Sequence, residues 1–318
     1  MIQLLKFSGV PKSKYYDWKA RFGQRNIPSR PPSGHLILPE EKQEIINFYL
    51  SQPKEGYRRC AYQLIDNDIA YVSPSSVYRV LSEAGALRQW NRKLSLKGDG
   101  FDQPTSPHQH WHMDISYVRL SGIYYYLICV LDGYSRKILN WDLRESMTDV
   151  DVGIVHLRAL EEYPGQTPRM ITDNGSQFTG GEFKKFIAEY GLSHVKTSIA
   201  YPQSNGKIER FHKTIKAECI REKLPVNHKE AKRIIELYID YYNTQRLHSA
   251  VGYVTPHDKI SGQAEVIINR RRQKMAMAKR ARKLFSFSET QEKITQCELH
   301  SQEQFSIIAE GQAKRSYA

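Results

Sequence analysis

The sequence has few cysteines and no long apolar segment. Its four cysteines lie far apart and form no C-x-x-C pair, which argues against a disulfide framework and against a structural zinc site of the usual spacing. No apolar run approaches the ~18 residues of a membrane-spanning helix, and the amino-terminal segment lacks the apolar stretch of an export signal. We therefore expect a protein of a reducing compartment that is neither exported nor inserted in a membrane.

Acidic residues are also in the minority. The 318-residue chain carries 47 Lys and Arg against 34 Asp and Glu, which is a formal net charge of +13. A charge of this sign predicts a polyanionic partner, and nucleic acid is the commonest one. Composition alone leaves open a ribosome-associated protein or a protein that binds an anionic membrane surface.

The first of four segments, residues 1–100, is basic and has the residue spacing of helices. Apolar residues and helix-capping residues predict helices over 39–50, 58–66 and 75–83. The last two, joined by a short turn, resemble a helix-turn-helix with Arg79 as a DNA contact. A small helical packing unit without DNA contact is the alternative. Residues 101–109 are rich in turn formers and are predicted to be a linker.

The third segment, residues 110–262, alternates strand patterns with helix patterns. β-Branched and aromatic runs predict strands over 110–120, 123–131, 137–143, 169–172 and 194–198. Amphipathic spacing predicts helices over 149–163, 182–190, 204–222 and 229–243. This order predicts an α/β domain with a mixed five-stranded sheet flanked by helices.

The last segment, residues 263–318, is a basic tail. Residues 270–283 hold eight Lys and Arg side chains and no acidic one. Such a block is typical of a solvated arm or of an arm that binds nucleic acid. We therefore take Arg270, Arg271 and Arg272 as candidate DNA contacts.

Three acidic residues occupy positions that suit a metal site. Asp114 lies within a predicted strand, Asp173 ends another, and Glu209 begins a predicted helix. An aspartate among apolar strand residues needs a partner such as a cation, and hard ions such as Mg²⁺ or Mn²⁺ prefer carboxylate ligands. A plain turn at Asp173 is the alternative. A zinc site of three histidines at positions 108, 110 and 112 is conceivable as well.

The motifs around these acids resemble a known family. Exactly 35 residues separate Asp173 from Glu209, and Lys216 follows seven positions after the glutamate. The sequence is similar to the integrase-core DNA recombinases with a D-D-35-E signature, and in particular to second-reading-frame transposases of bacterial insertion sequences of the IS-three family. The resemblance extends over roughly residues 56–256 and includes the segments 111–114, 132–136, 172–178, 202–206, 242–248 and 253–256.

The resemblance implies an RNase H-like core that cleaves and joins DNA strands at the ends of an insertion sequence. It also implies two Mg²⁺ ions, or Mn²⁺ in their place, with Asp114 shared by both ions and Asp173 and Glu209 each holding one. The implied partners are DNA, at least one further copy of the chain on DNA, and an upstream-frame protein as a fusion or assistant; no membrane is implied. The implied location is the bacterial nucleoid.

Residues near the acids are further candidates. Lys213 and Lys216 lie on the same helix face as Glu209, together with His212, and are predicted to contact DNA; a solvated charged stripe is the alternative. Asn205, just before this helix, is a third candidate DNA contact. Asn174 either hydrogen-bonds a ligand carboxylate or only shapes the turn.

Two other functions are compatible with these motifs. One is a non-catalytic DNA-binding regulator or a domesticated derivative of a transposase. The other is an RNase H-like nuclease that acts on RNA–DNA hybrids. Catalysis on DNA ends separates both from the transposase hypothesis.

Overall fold

The computed structural model describes residues 11–21, 36–52, 55–87, 103–196 and 205–285. The predictions for 101–102, for 197–204 and for the tail after 285 lie outside these residues. Contacts divide the chain into two units, Met1–Ile37 with Ala276–Ala318, and Leu38–Met275. The described part of the first unit contains helix α1, Lys12–Arg21. The division predicted from composition, with boundaries at 100, 109 and 262, stays a prediction.

Three helices open the second unit, and they confirm the predicted helices to within about one residue. They are α2 (Pro39–Ser51), α3 (Tyr57–Asp66) and α4 (Pro74–Glu83). The side chain of Ser73 caps α4 by accepting a hydrogen bond from the Ser76 amide at 3.2 Å, with Pro74 in the first turn. Fully buried apolar side chains hold the three helices together, among them Ile45, Leu64 and Leu81.

A mixed sheet of five strands forms the centre of this unit. The strands are β1 (His110–Leu120), β2 (Ile123–Asp132), β3 (Ile138–Arg144), β4 (Arg169–Thr172) and β5 (Ser193–Lys196). Their order is β3-β2-β1-β4-β5, with β1 antiparallel to β2, β2 antiparallel to β3, and β4 parallel to both of its neighbours. This topology confirms the predicted RNase H-like sheet.

Helices cover both faces of the sheet. Helices α5 (Asp149–Glu162) and α7 (Gly181–Glu189), with the short α6 (Ser176–Thr179), pack over one face around Trp111, Met113 and Ile128. Helices α8 (Gly206–Ile215) and α10 (His228–Thr244) pack over the other face around Leu127, Cys129 and Phe211. Because side chains alternate along a strand, Asp114 lies on the second face, beneath α8.

The helix predicted over 204–222 is interrupted. A π-helical turn, Lys216–Ile220, follows α8, and a last turn, α9 (Arg221–Lys223), ends at Leu224 with φ +44°. The carboxylate of Glu218 in the π turn receives two hydrogen bonds from Arg246, at 2.7 and 2.9 Å, and one from the Tyr238 hydroxyl at 2.6 Å. The predicted helix is therefore present with a π turn within it, and a partly buried polar network contacts this wider turn.

The chain then forms α11 (Pro256–Ile260) and a helix over 264–285, α12. Arg271 in α12 is only 4% exposed, and its guanidinium donates to both carboxylate oxygens of Asp66 in α3, at 2.7 and 2.6 Å. The predicted DNA contact by Arg271 is therefore wrong, because this side chain is buried in an ion pair within the protein. Arg270 and Arg272 are exposed.

Cys60, Cys129 and Cys219 are buried free thiols. Within the described ranges, no helix combines the length and the apolar character needed to cross a bilayer.

Candidate active site

Asp114 lies on β1, and Asp173 directly follows the end of the adjacent parallel strand β4. The parallel register pairs His112 of β1 with Ile171 of β4, and both aspartates come two residues later. Burial raises the pKa of Asp173; a hydrogen bond from the Gly175 amide at 2.9 Å opposes this shift, and the nearby charge of Asp114 adds to it. The two carboxylates are thus close enough to repel each other.

Asp114 is held by one contact from its own strand and one from α8. Its Oδ1 accepts a hydrogen bond from the Ile115 amide at 2.9 Å, and its Oδ2 lies 3.4 Å from Nδ1 of His212. His212 is 6% exposed, and its Nε2 is buried without a hydrogen-bond partner among the described residues. Sequence spacing had placed His212 on the Glu209 face of the helix, but it gave this histidine no role.

Glu209 lies one helical turn before His212, so α8 directs both residues to the same side. Its side chain is 45% exposed, and its carboxylate lies 3.9 Å from the Lys213 ammonium. Within the part of the chain that the structure describes, no three His, Cys, Asp or Glu side chains are gathered as a metal-binding group. The structure thus brings together Asp114 and Asp173, and it does not bring Glu209 into that pair.

The aspartate pair nevertheless fits a divalent cation by its chemistry. Two carboxylates that repel each other, one of them with a raised pKa, lose this repulsion when a hard cation sits between them. Oxygen donors of this kind are the ligands that Mg²⁺ and Mn²⁺ prefer. The two aspartates therefore fit a divalent-ion site, and the third ligand remains a prediction.

The histidines upstream of Asp114 do not form the alternative zinc site. Nδ1 of His108 accepts a hydrogen bond from the Trp111 indole at 3.2 Å. No metal-binding group containing them is present in the described ranges.

The predicted neighbours of the acids lie in different settings. Asn205 is 3% exposed, and its amide donates to the Met113 carbonyl at 3.5 Å, so the DNA contact predicted for it is wrong. It instead joins the start of α8 to β1, beside Asp114. Asn174 follows Asp173 in the turn after β4, and its role stays a prediction.

The candidate DNA contacts on helices are at the surface. Lys213 is 77% exposed, whereas Lys216 is partly buried. Burial and the nearby Arg221 lower the pKa of Lys216, and the charge of Asp114 opposes this shift, so Lys216 lies within electrostatic reach of Asp114. Arg79 is exposed on α4 and donates to the Ser76 hydroxyl at 3.3 Å. These positions agree with DNA contact but do not test it.

Comparisons with known proteins bear on this site. Two family models described as "Integrase core domain" match residues 104–202 and 190–256. The transposase of insertion sequence element IS904 from Lactococcus lactis subsp. lactis is 33% identical over 156 residues, which are 48% of this chain and 62% of that protein. The uncharacterized 31 kDa protein of insertion element IS600 from Shigella sonnei is 27% identical over 263 residues, 78% of this chain and 94% of that protein.

Among solved structures, the HTLV-2 integrase catalytic core domain in complex with magnesium aligns with 49% of this chain and 97% of its own length, at 19% identity and a TM-score of 0.41. The resemblance inferred from the motifs is confirmed by the family models and the sequence relatives. Residues 104–256 of the chain therefore match integrase core domains, and the chain resembles the transposases of bacterial insertion sequences.

Proposed function

We propose that this protein is a DNA transposase that cleaves and joins DNA strands at the ends of an insertion sequence. The observation that carries the proposal is the adjacency of Asp114 on one strand and Asp173 at the end of the neighbouring parallel strand of an integrase core. Glu209, on the helix that contacts Asp114 through His212, is the proposed third acid. These residues form the D-D-35-E set.

Asp114, Asp173 and Glu209 would hold two Mg²⁺ ions, or Mn²⁺ in their place. When bound, such a pair polarises the attacking and the leaving oxygen of an in-line displacement at phosphorus. His212 fixes the orientation of the Asp114 carboxylate, which is the usual task of a residue behind a metal ligand. The attacking group is water during cleavage and a DNA 3′-hydroxyl during joining, so no enzyme side chain forms a covalent intermediate.

The remaining partners follow from the same activity. The net charge of +13 and the exposed lysine on α8 favour a polyanionic substrate. Joining two element ends requires at least two copies of the chain on DNA, and an upstream-frame protein is a possible fusion or assistant. Such a protein acts at the bacterial nucleoid, in the cytoplasm.

A strand-transfer assay tests this proposal. Linear DNA carrying the sequences that flank the gene on both sides is incubated with Mg²⁺ and either wild type, Asp173→Asn, Glu209→Gln or Glu182→Gln. Loss of a residue behind a metal ligand costs about 10–100-fold, so we expect each of the first two substitutions, which remove a ligand, to lower product by about 100-fold or more. Glu182 is an exposed acid on α7, and its substitution is the matched control with unchanged product.

Other outcomes separate the alternatives. Equal product from wild type and Asp173→Asn refutes the catalytic role of this residue. DNA binding by wild type without any cleavage supports the non-catalytic regulator. Cleavage of RNA–DNA hybrids in preference to DNA ends supports the nuclease.

A further inference from the structure

Two cationic side chains meet behind the aspartate pair, where the β2–β3 turn approaches the start of α8. Lys207 donates through its ammonium to the Gly133 carbonyl at 3.0 Å. Arg136 closes the same turn, because its amide donates to the Asp132 carbonyl at 2.9 Å. The Arg136 guanidinium is close enough to the Lys207 ammonium for its charge to lower the pKa of Lys207, together with burial.

This place, which we call the cationic recess, contains a buried polar atom without a partner. Among the described residues, the Arg136 Nε is buried and has no hydrogen bond. A buried polar atom without a partner is uncommon, and it indicates a missing ligand or water.

The charges in the cationic recess do not balance. Asp132 is the carboxylate whose charge favours the protonated form of both Arg136 and Lys207 and so raises their pKa. Its oxygens already accept hydrogen bonds from the His108 amide at 2.9 Å and from the amide and hydroxyl of Ser135 at 2.7 and 2.6 Å. Tyr242 also faces Arg136, but it is a neutral phenol. The recess therefore keeps a net positive charge that an anion would neutralise.

The backbone at Arg136 adds a second indication. This residue has φ +71°, a left-handed conformation that a long side chain rarely adopts. Strained conformations of this kind cluster at functional sites, where the surrounding structure maintains them. Here the conformation belongs to a residue whose charge acts on Lys207.

The cationic recess is adjacent to the candidate catalytic acids along both elements that form it. His112 precedes Asp114 by two residues on β1, which is about 7 Å along the strand. Lys207 precedes Glu209 by two residues on α8, about 3 Å along the helix axis, although the two side chains point to different sides of the helix. One strand of DNA advances about 3.4 Å per nucleotide, so a group bound here belongs to a nucleotide one or two steps from a phosphate at the acids.

We propose that Arg136 and Lys207 bind a phosphate of the DNA backbone that is not itself cleaved, and so set the register of the strand at the acids. A planar guanidinium beside a compact ammonium suits a phosphate, because the first can form two parallel hydrogen bonds and the second adds a point charge. This inference rests on the proposed function only in taking DNA as the ligand.

The test measures DNA binding without divalent ions. Fluorescence anisotropy of a labelled duplex oligonucleotide in EDTA gives the dissociation constant of the full chain across about 50–200 mM salt. We expect the double variant Arg136→Asn/Lys207→Gln to lower the slope of log K against log salt by about 0.9, the value of one released phosphate contact. Asn is chosen for position 136 because it tolerates positive φ.

Three further variants make the result decisive. Lys184→Gln, which removes an exposed cation from α7, leaves the slope unchanged. Lys207→Arg keeps the wild-type slope, because it keeps the charge. Lys207→Gln alone lowers the slope, so the proposal remains testable if the double variant fails to fold. A wild-type slope in folded Lys207→Gln and in the double variant overturns the proposal, and so does a wild type that does not bind DNA.

Failure of this inference is distinct from failure of the proposed function. If the double variant has a lowered slope and the wild type does not cleave DNA, the phosphate site is supported and the proposed catalysis is refuted. If the wild type cleaves DNA and the double variant keeps the wild-type slope, the proposed catalysis is supported and the phosphate site is refuted.

Discussion

Removal of the charge of Asp66 tests the new assignment of Arg271. In Asp66→Asn, the guanidinium of Arg271, whose side chain is 5% exposed, loses the carboxylate that it contacts at 2.7 and 2.6 Å. Its remaining partners are the Tyr253 carbonyl at 2.8 Å and the ring of Tyr62, 5.0 Å from the guanidinium carbon. The cation cannot move to solvent without breaking these contacts.

Breaking a buried ion pair by removing one partner costs about 3–5 kcal/mol. The Asp66 side chain is 35% exposed, and asparagine still offers one acceptor oxygen, so we expect a loss of about 2–3 kcal/mol in the free energy of unfolding. Arg271→Met removes the buried charge and leaves an aspartate that water can reach, so its expected loss is smaller, about 1–2 kcal/mol.

Urea unfolding, followed by circular dichroism, measures both losses. Glu83→Gln breaks the exposed pair of Glu83 with Lys42 and is the control, with an expected change below about 0.5 kcal/mol. A smaller loss in Asp66→Asn than in Arg271→Met, or a loss equal to that of the control, refutes the reasoning.

Three further results are expected. Arg271→Met keeps the wild-type slope of log K for DNA binding against log salt. Lys216→Gln lowers this slope by about 0.9, the value of one phosphate contact. A wild-type slope in Lys216→Gln contradicts a phosphate contact by this lysine. His212→Ala lowers Mg²⁺-dependent strand transfer about 10–100-fold and leaves DNA binding in EDTA unchanged, so a parallel loss of both would indicate misfolding. The pKa of Asp173 is raised above 3.8 in the folded state, so the folded protein holds this proton more tightly than the unfolded chain does. The free energy of unfolding therefore falls as pH rises from below 3.8 to above the folded-state pKa. Asp173→Asn therefore raises the melting temperature at pH 7 without divalent ions, and calorimetry should find this gain absent below pH 3.8; a gain that does not depend on pH contradicts the assignment.

The mixed five-stranded sheet was predictable because local signals and the family resemblance agree. Ser121 and Gly122 adopt φ +45° and +91°, as expected of a two-residue hairpin turn, and this turn sets the register of β1 on β2. The parity of Asp114 in its strand then determines which face it occupies. The adjacency of Asp114 and Asp173 was accessible from the family resemblance, and the parallel register of β1 and β4 supports it.

The errors have a common origin in interactions between distant residues. Arg271 belongs to a block without acidic residues, and its partner Asp66 lies 205 residues earlier in the chain. Asn205 was taken as a DNA contact, yet its amide reaches Met113, 92 residues earlier. The π turn at Glu218 depends in the same way on Arg246 and Tyr238. Local spacing gives no sign of such partners.

The most direct test of the central claim measures ion binding at the aspartate pair. Electron paramagnetic resonance of Mn²⁺, titrated against the full chain, reports the bound fraction without any DNA. We expect Asp114→Asn and Asp173→Asn each to weaken binding by about 10-fold or more, with Glu182→Gln equal to wild type. Wild-type affinity in both aspartate variants, each shown to be folded, would contradict the assignment of these two residues as the metal site.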